Sequence, residues 1–256
     1  MREGIERFDT LYFEPSYARR TALLEQFTAG QVDEASLPRD VLMMLIRNED
    51  GIDLTRAVLL REMAFFALAG AHTSIHTLSH AMHETLNWCE THPADRRRLD
   101  EEPFFLQRCV HESMRMHPSS PIALRRSMCP LHLPAVGEVG GGDLVTIDLF
   151  TANRDPMVFG DDAGVFNPHR AIAKGEPHGL SFGLGMHACL GRNLAAGVIP
   201  KHDADAATHH YGTVTKIART LFDHGVRPDP DQPPRRDATT NRILWAYYPV
   251  LLDQQS

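Results

Sequence analysis

The run 181–191, Ser-Phe-Gly-Leu-Gly-Met-His-Ala-Cys-Leu-Gly, gathers an aromatic ring, three glycines, a histidine and one cysteine. These residue types suit a metal-thiolate loop. Gly183 and Gly185 allow positive φ and a close approach of backbone to a large flat ligand. Cys189 closes the loop just ahead of a helix-like run, Asn193 to Val198. Unpaired amides and the helix dipole there favour the thiolate, the form that binds iron or attacks as a nucleophile. The plain alternative is a glycine-rich loop carrying one buried cysteine. Two further groupings carry chemistry. Ala69-Gly70-Ala71-His72-Thr73-Ser74 sets polar groups in an otherwise apolar stretch, where they need partners or water. Glu112 and Arg115, three apart in a helical pattern, share one face; an exposed pair of this kind is worth only about 0.3 kcal/mol.

The elements that must position these groups follow from periodicity and capping. An amphipathic helix is expected from Ser16 to Gly30 and a short one from Asp40 to Arg47, ended by Asn48-Glu49-Asp50-Gly51. Asp53-Leu54-Thr55 offers caps for the longest helix, about Arg56 to Cys89, stopped by His92-Pro93 and roughly 50 Å long. Its middle, Met63 to Ala71, is apolar all round and is expected to be buried on every side. Gly70 within it costs about 1 kcal/mol relative to Ala, so something should require it. Arg96-Arg97-Arg98 followed by Asp100-Glu101-Glu102 reads as a charged, solvated connector, and Phe104 to Met116 as the helix carrying Glu112 and Arg115. Leu144 to Leu149 alternates as a half-buried strand. After Gly191 the helical pattern breaks at Gly197 and Pro200, resumes from Tyr211 to His224, and gives way to an extended run around Ile243–Val250.

Composition excludes several classes. A net charge of −7 opposes nonspecific nucleic-acid binding, which needs a basic face. Four cysteines without a CxxC pair suggest neither structural zinc nor a disulfide scaffold and point to a reduced, cytoplasmic setting. His76, His80 and His83 do not form an HExxH arrangement. The start shows no apolar leader, and the run Met63–Ala71 is shorter than the ~20 residues that span a bilayer, so no membrane association is expected.

The spacing Phe182-Gly183-x-Gly185-x-His187-x-Cys189-x-Gly191 resembles the haem-binding signature of the cytochromes P450. Glu112-x-x-Arg115 matches that family's ExxR motif, and Phe166-Asn167-Pro168-His169-Arg170 is similar to the meander whose arginine joins it. Ala152-Asn153-Arg154-Asp155-Pro156 resembles a further family segment, and 69–74 is similar to the oxygen-activation segment of the central helix.

What the resemblance implies is a mainly α protein with small β-sheets: one partial P450 domain over 1–256, lacking the family's N-terminal region. Cys189 is then the axial ligand of the iron of haem b, with Phe182 shielding the sulfur, Gly183 in the loop, and His187 and Arg125 holding the propionates. Arg126 is the fallback if the register slips by one. Ala69 and Gly70 would let the helix widen over the haem, and Thr73 would steady proton delivery. The family usually has a carboxylate before that threonine; here it is His72, which can itself shuttle protons. The implied reaction is a monooxygenation of an apolar small molecule using O2 and electrons from a ferredoxin- or flavin-type donor, for which Arg192 and Lys201 leave positive charge. The competing expectations are a haem-binding remnant without turnover and a helical interaction protein.

Overall fold

A computed structural model of the chain describes residues 2–48, 54–134, 136–172 and 175–253. The expected turn at Glu49-Asp50-Gly51 and the cap at Asp53 lie outside the described residues. Read from its sequence as one domain, the chain forms two compact units, Met1–His72 and Thr73–Ser256, the division falling inside its longest helix.

In the first unit, α1 (Arg2–Phe8) runs through a π-helical turn, Asp9–Phe13, into α2 (Glu14–Thr28). Asp40 caps α3 (Val41–Arg47), its carboxylate accepting from the Met43 amide at 3.0 Å and from the Arg20 guanidinium. Phe13, Leu42, Ile46 and Leu59 form the core, Leu59 coming from the first turns of α4 (Arg56–Thr91). The expectation of burial on every side fails for the middle of α4. Phe65 and Leu68 are 61% and 67% exposed, because the core of this unit meets the helix through Leu59, Leu60 and Met63, which share one side. Nor does α4 widen at Gly70. The helix is α throughout, and a Cβ at Gly70 would meet nothing within 4 Å, so no close contact requires the glycine. By length and composition α4 is apolar enough to cross a bilayer, a property that core helices share.

The second unit packs around α6 (Phe105–Met116), of which all but Arg108 is buried. One core joins Met82 and Leu86 of α4, Phe105 and Cys109 of α6, and Phe222 of α10 (Thr213–Asp223); a second joins Ala81, Val110, Met114, Ala196 and Val214. The expected connector is instead a helix, α5 (Pro93–Glu101). Proline at its start supplies the right φ, Leu99 is fully buried, and Asp95 accepts from the Trp88 indole at 2.7 Å and bonds His169 at 2.7 Å. Among the described residues, four two-stranded antiparallel sheets complete the unit: β1 (Ile122–Arg126) with β4 (Leu144–Asp148), β2 (Leu131–Leu133) with β3 (Gly137–Val139), β5 (Arg227–Pro228) with β8 (Val250–Leu251), and β6 (Arg235–Arg236) with β7 (Trp245–Tyr247). Short helices α7 (Leu149–Ala152), α8 (Pro156–Phe159) and α9 (Arg192–Ala196) punctuate the loops. The fold is mainly helical with small sheets, as expected.

Candidate active site

Arg115 is the most enclosed charged residue of the second unit, with no exposed side-chain surface. It forks onto Glu112, Nε–Oε2 2.8 Å and Nη2–Oε1 2.7 Å, and its remaining nitrogen donates to the carbonyls of Asn153 and Ala163. Glu112 also accepts from Arg170 Nε and from the Asn167 amide, both at 3.1 Å, while Arg170 is held by Asp162 and the Phe159 carbonyl. The three expected members of this set therefore meet, buried, behind the loop that carries Cys189. A buried ionic set is tolerable only when every lone pair and proton is used, and here backbone carbonyls finish the fork.

Asn153 transmits this anchor to the loop. Its amide donates to the Arg115 carbonyl at 2.9 Å and to Ser181 Oγ at 3.1 Å, and its oxygen accepts from the Leu180 amide at 2.7 Å. Ser181 Oγ in turn donates to the Met114 carbonyl at 2.6 Å. Neither role was visible from local sequence, since each depends on segments far apart in the chain.

The loop itself turns at Gly183 and Gly185, both at φ +66°, into a 3-10 turn, Gly185–His187. The Cys189 amide donates to the Phe182 carbonyl at 2.8 Å, closing the loop. Cys189 is a free, exposed thiol. The helix after it is only the five residues of α9, shorter at its end than the run to Val198 expected from sequence. Its stop is a crossing of backbones. At Gly197 (φ +78°) a Cβ would lie 2.3 Å from the Tyr211 carbonyl carbon, and at Gly212 (φ +81°) 2.2 Å from the Gly197 nitrogen. Gln107 Nε2 donates to the carbonyls of Ala196, Val198 and Tyr211, and His111 Nε2 to Ala196 at 2.8 Å, so the freed carbonyls are satisfied.

Thr73, Arg125, Phe182, Gly183, His187 and Cys189 line one open cleft of about 250 Å³. Strand alternation decides between the two arginines: Arg125 is on the cleft wall, whereas Arg126 donates to the Gly142 carbonyl at 2.6 Å. Phe182 packs on the second core and meets His178 edge-on at 4.9 Å. Burial pushes His178 down to about 4 and His111, 5.8 Å from it, also to about 4, so both are neutral supports at physiological pH. Ala69, Gly70 and His72 fall in the first unit, Ala69 half-buried and the other two exposed. Arg192 lies 3.8 Å from Glu176, which offsets part of the positive charge expected there, and Lys201 is exposed.

The donor set fits a haem. One wall offers a thiol that forms no disulfide among the described residues and a glycine, Gly191, whose Cβ would stand 3.8 Å from that sulfur; the other walls offer an arginine and a histidine suited to binding carboxylates, and a threonine.

The family model for cytochrome P450 matches residues 101–197. A cytochrome P450 monooxygenase, mpaDE', of Penicillium brevicompactum is 35% identical over 105 residues, 36% of this chain and 12% of that protein. The biotin biosynthesis cytochrome P450 of Bacillus subtilis is 29% identical over 157 residues, 61% of this chain and 37% of that one. Among solved structures, HmtT, involved in himastatin biosynthesis, aligns with TM-score 0.68 at 23% identity, covering 96% of this chain and 54% of that one. CYP154A1 of Streptomyces coelicolor aligns with TM-score 0.63 at 23% identity, covering 93% and 55%. The chain thus spans well under two thirds of each of these relatives.

Proposed function

For a chain that belongs to the cytochrome P450 family and spans part of a full-length member, we propose a haem-thiolate monooxygenase that inserts one oxygen atom into an apolar small molecule: RH + O2 + 2 electrons + 2 protons giving ROH + water. The observation that carries this reading is the convergence of Cys189, Arg125, His187 and Thr73 on one cleft. Haem b, when bound, would supply redox-active iron for dioxygen chemistry. Cys189 Sγ would hold that iron as a thiolate. The Phe182 ring would limit water at the sulfur, and Gly183 would let the loop backbone lie close to the porphyrin. Arg125 and His187 bind and orient the carboxylates of the porphyrin. Thr73 Oγ1 holds and passes a proton in the cleft.

The electrons come, in this proposal, from a ferredoxin- or flavin-type donor seated near the exposed Leu184, Met186, Leu190 and Leu194, with Lys201 and the partly paired Arg192 offering charge. The protein is taken as soluble and cytoplasmic, with α4 as a protein helix and no nucleic-acid partner. A second reading, haem binding without turnover, is favoured by the openness of the cleft: Ile122 on its wall is 50% exposed and Cys189 is exposed. The test is the difference spectrum of haem-reconstituted, reduced protein with CO. A band at about 450 nm supports thiolate ligation; absence of haem uptake overturns both readings. Electron consumption coupled to an oxygenated product separates the first reading from the second.

A further inference from the structure

His72 leaves open which group supplies the protons that oxygen reduction consumes, and the second unit contains a pair suited to it. Glu84 projects from α4 about three turns beyond Thr73, and His117 follows α6 directly. Glu84 Oε1 lies 2.7 Å from His117 Nε2. Burial raises the Glu84 carboxyl, but the His117 hydrogen bond and nearby positive groups outweigh it and hold the acid below its usual range, so it is ionised. An ionised carboxylate accepts only, which makes Nε2 the donor of that hydrogen bond and leaves Nδ1 as the ring's second position. Nδ1 is buried and has no hydrogen-bond partner among the described residues. An unsatisfied ring nitrogen costs free energy, and a functional group that exchanges a proton gives that cost a reason.

The location is equally specific. His117 and Ser119 line the cleft that Thr73 and Cys189 line, and they also line a second cavity of about 270 Å³ bordered by His76 and His80. On the cleft side Thr77 Oγ1 is 3.2 Å from Ser119 Oγ, and Ser119 Oγ donates to the Thr73 carbonyl at 3.4 Å. Around the pair stand His80, stacked on His117 at 4.2 Å, with His83 from α4, Arg154, Arg236 and Tyr248. Burial drives His80 down to about 3, so it remains neutral and adds no competing charge.

We propose that Glu84 and His117 form the proton relay of this cleft. The ring takes up one proton at Nδ1 from water of the second cavity and releases one to water of the cleft, beside the Thr77–Ser119 hydroxyls, water being the carrier on both sides because no side chain among the described residues bonds Nδ1. The Nε2 proton stays on the Glu84 carboxylate hydrogen bond throughout. Each cycle moves one proton with no net change in the pair, and two cycles supply the two protons of the overall reaction. The proposal rests on the haem-monooxygenase reading of the cleft.

Two measurements test it. In the haem-free protein, nitrogen-15 NMR of the histidine rings should give the Nε2–H tautomer for His117; an Nδ1–H tautomer overturns the relay. In haem-loaded protein reduced through a surrogate ferredoxin and its reductase, Glu84→Gln and His117→Gln should keep the band at about 450 nm. They should lose proton-dependent flux to water on the order of 100-fold, with electrons leaving as peroxide and an altered solvent deuterium isotope effect. A purely packing role leaves the isotope effect unchanged. A normal band with an unchanged peroxide fraction defeats the relay alone. No band in the parent protein defeats the haem reading and the relay with it.

Discussion

At the scale of single residues, Cys189 and Arg115 make opposite demands. Cys189 is exposed and bonds through its backbone to Phe182, so its side chain supports little of the loop. Cys189→Ala is therefore expected to leave the far-ultraviolet circular dichroism unchanged while abolishing the CO band; a retained band assigns the ligand elsewhere. Arg115 is fully enclosed and satisfies Glu112 together with the carbonyls of Asn153 and Ala163. Arg115→Ala removes the fork from Glu112, leaving Oε2 without its partner and Oε1 with only Arg170 and the Asn167 amide, frees those carbonyls, and should cost about 3–5 kcal/mol in urea unfolding. Arg115→Lys should rescue little, because an ammonium cannot reproduce the planar fork. A loss under about 1 kcal/mol for either variant would mean that the set is hydrated and not structural.

Elements reveal why some of the architecture was legible and some was not. The loop 181–191, the pair Glu112–Arg115 and its third member Arg170 stand at motif spacings, so the sequence alone locates them. Helix α5 was hidden because its charges dominate the sequence while one buried leucine, Leu99, and a proline in the first turn fix where it starts and what it packs on. Exposure of the α4 midsection was hidden for a different reason: apolar composition states what a helix can bury, not which neighbours reach it. The division between α9 and α10 depends on Gly197 and Gly212 meeting, a contact that no local pattern encodes. That crossing yields its own expectation. Gly197→Ala combines a positive φ with a Cβ 2.3 Å from backbone, and should lose at least about 3 kcal/mol. Amide exchange should show the loss of protection concentrated in α9 and α10; uniform protection would mean that the crossing relaxes freely.

For the whole molecule, acid is the perturbation to which the two units should respond differently. Of the fifteen histidines, His72 alone belongs to the first unit. In the second, burial pushes His80 down to about 3 and His111 and His178 to about 4, against an ordinary value of 6.5. A depressed native value means that the unfolded chain binds protons which the folded chain refuses. The stabilisation is complete above pH 6.5 and is lost as pH falls from 6.5 towards about 4, where His111 and His178 begin to protonate in the native state, and on to about 3 for His80. Each group contributes a slope of up to about 1.4 kcal/mol per pH unit across its window. Urea midpoints followed by Trp88 and Trp245 fluorescence, both in the second unit, should fall steeply between pH 6.5 and 4. The aromatic-free variant His111→Gln should flatten that fall, because Gln can still donate to the Ala196 carbonyl as His111 Nε2 does without titrating. A pH-independent midpoint would show that these rings are protonated in the folded state, and that the supports beneath Phe182 and the Gly197 crossing are wetter than their burial implies.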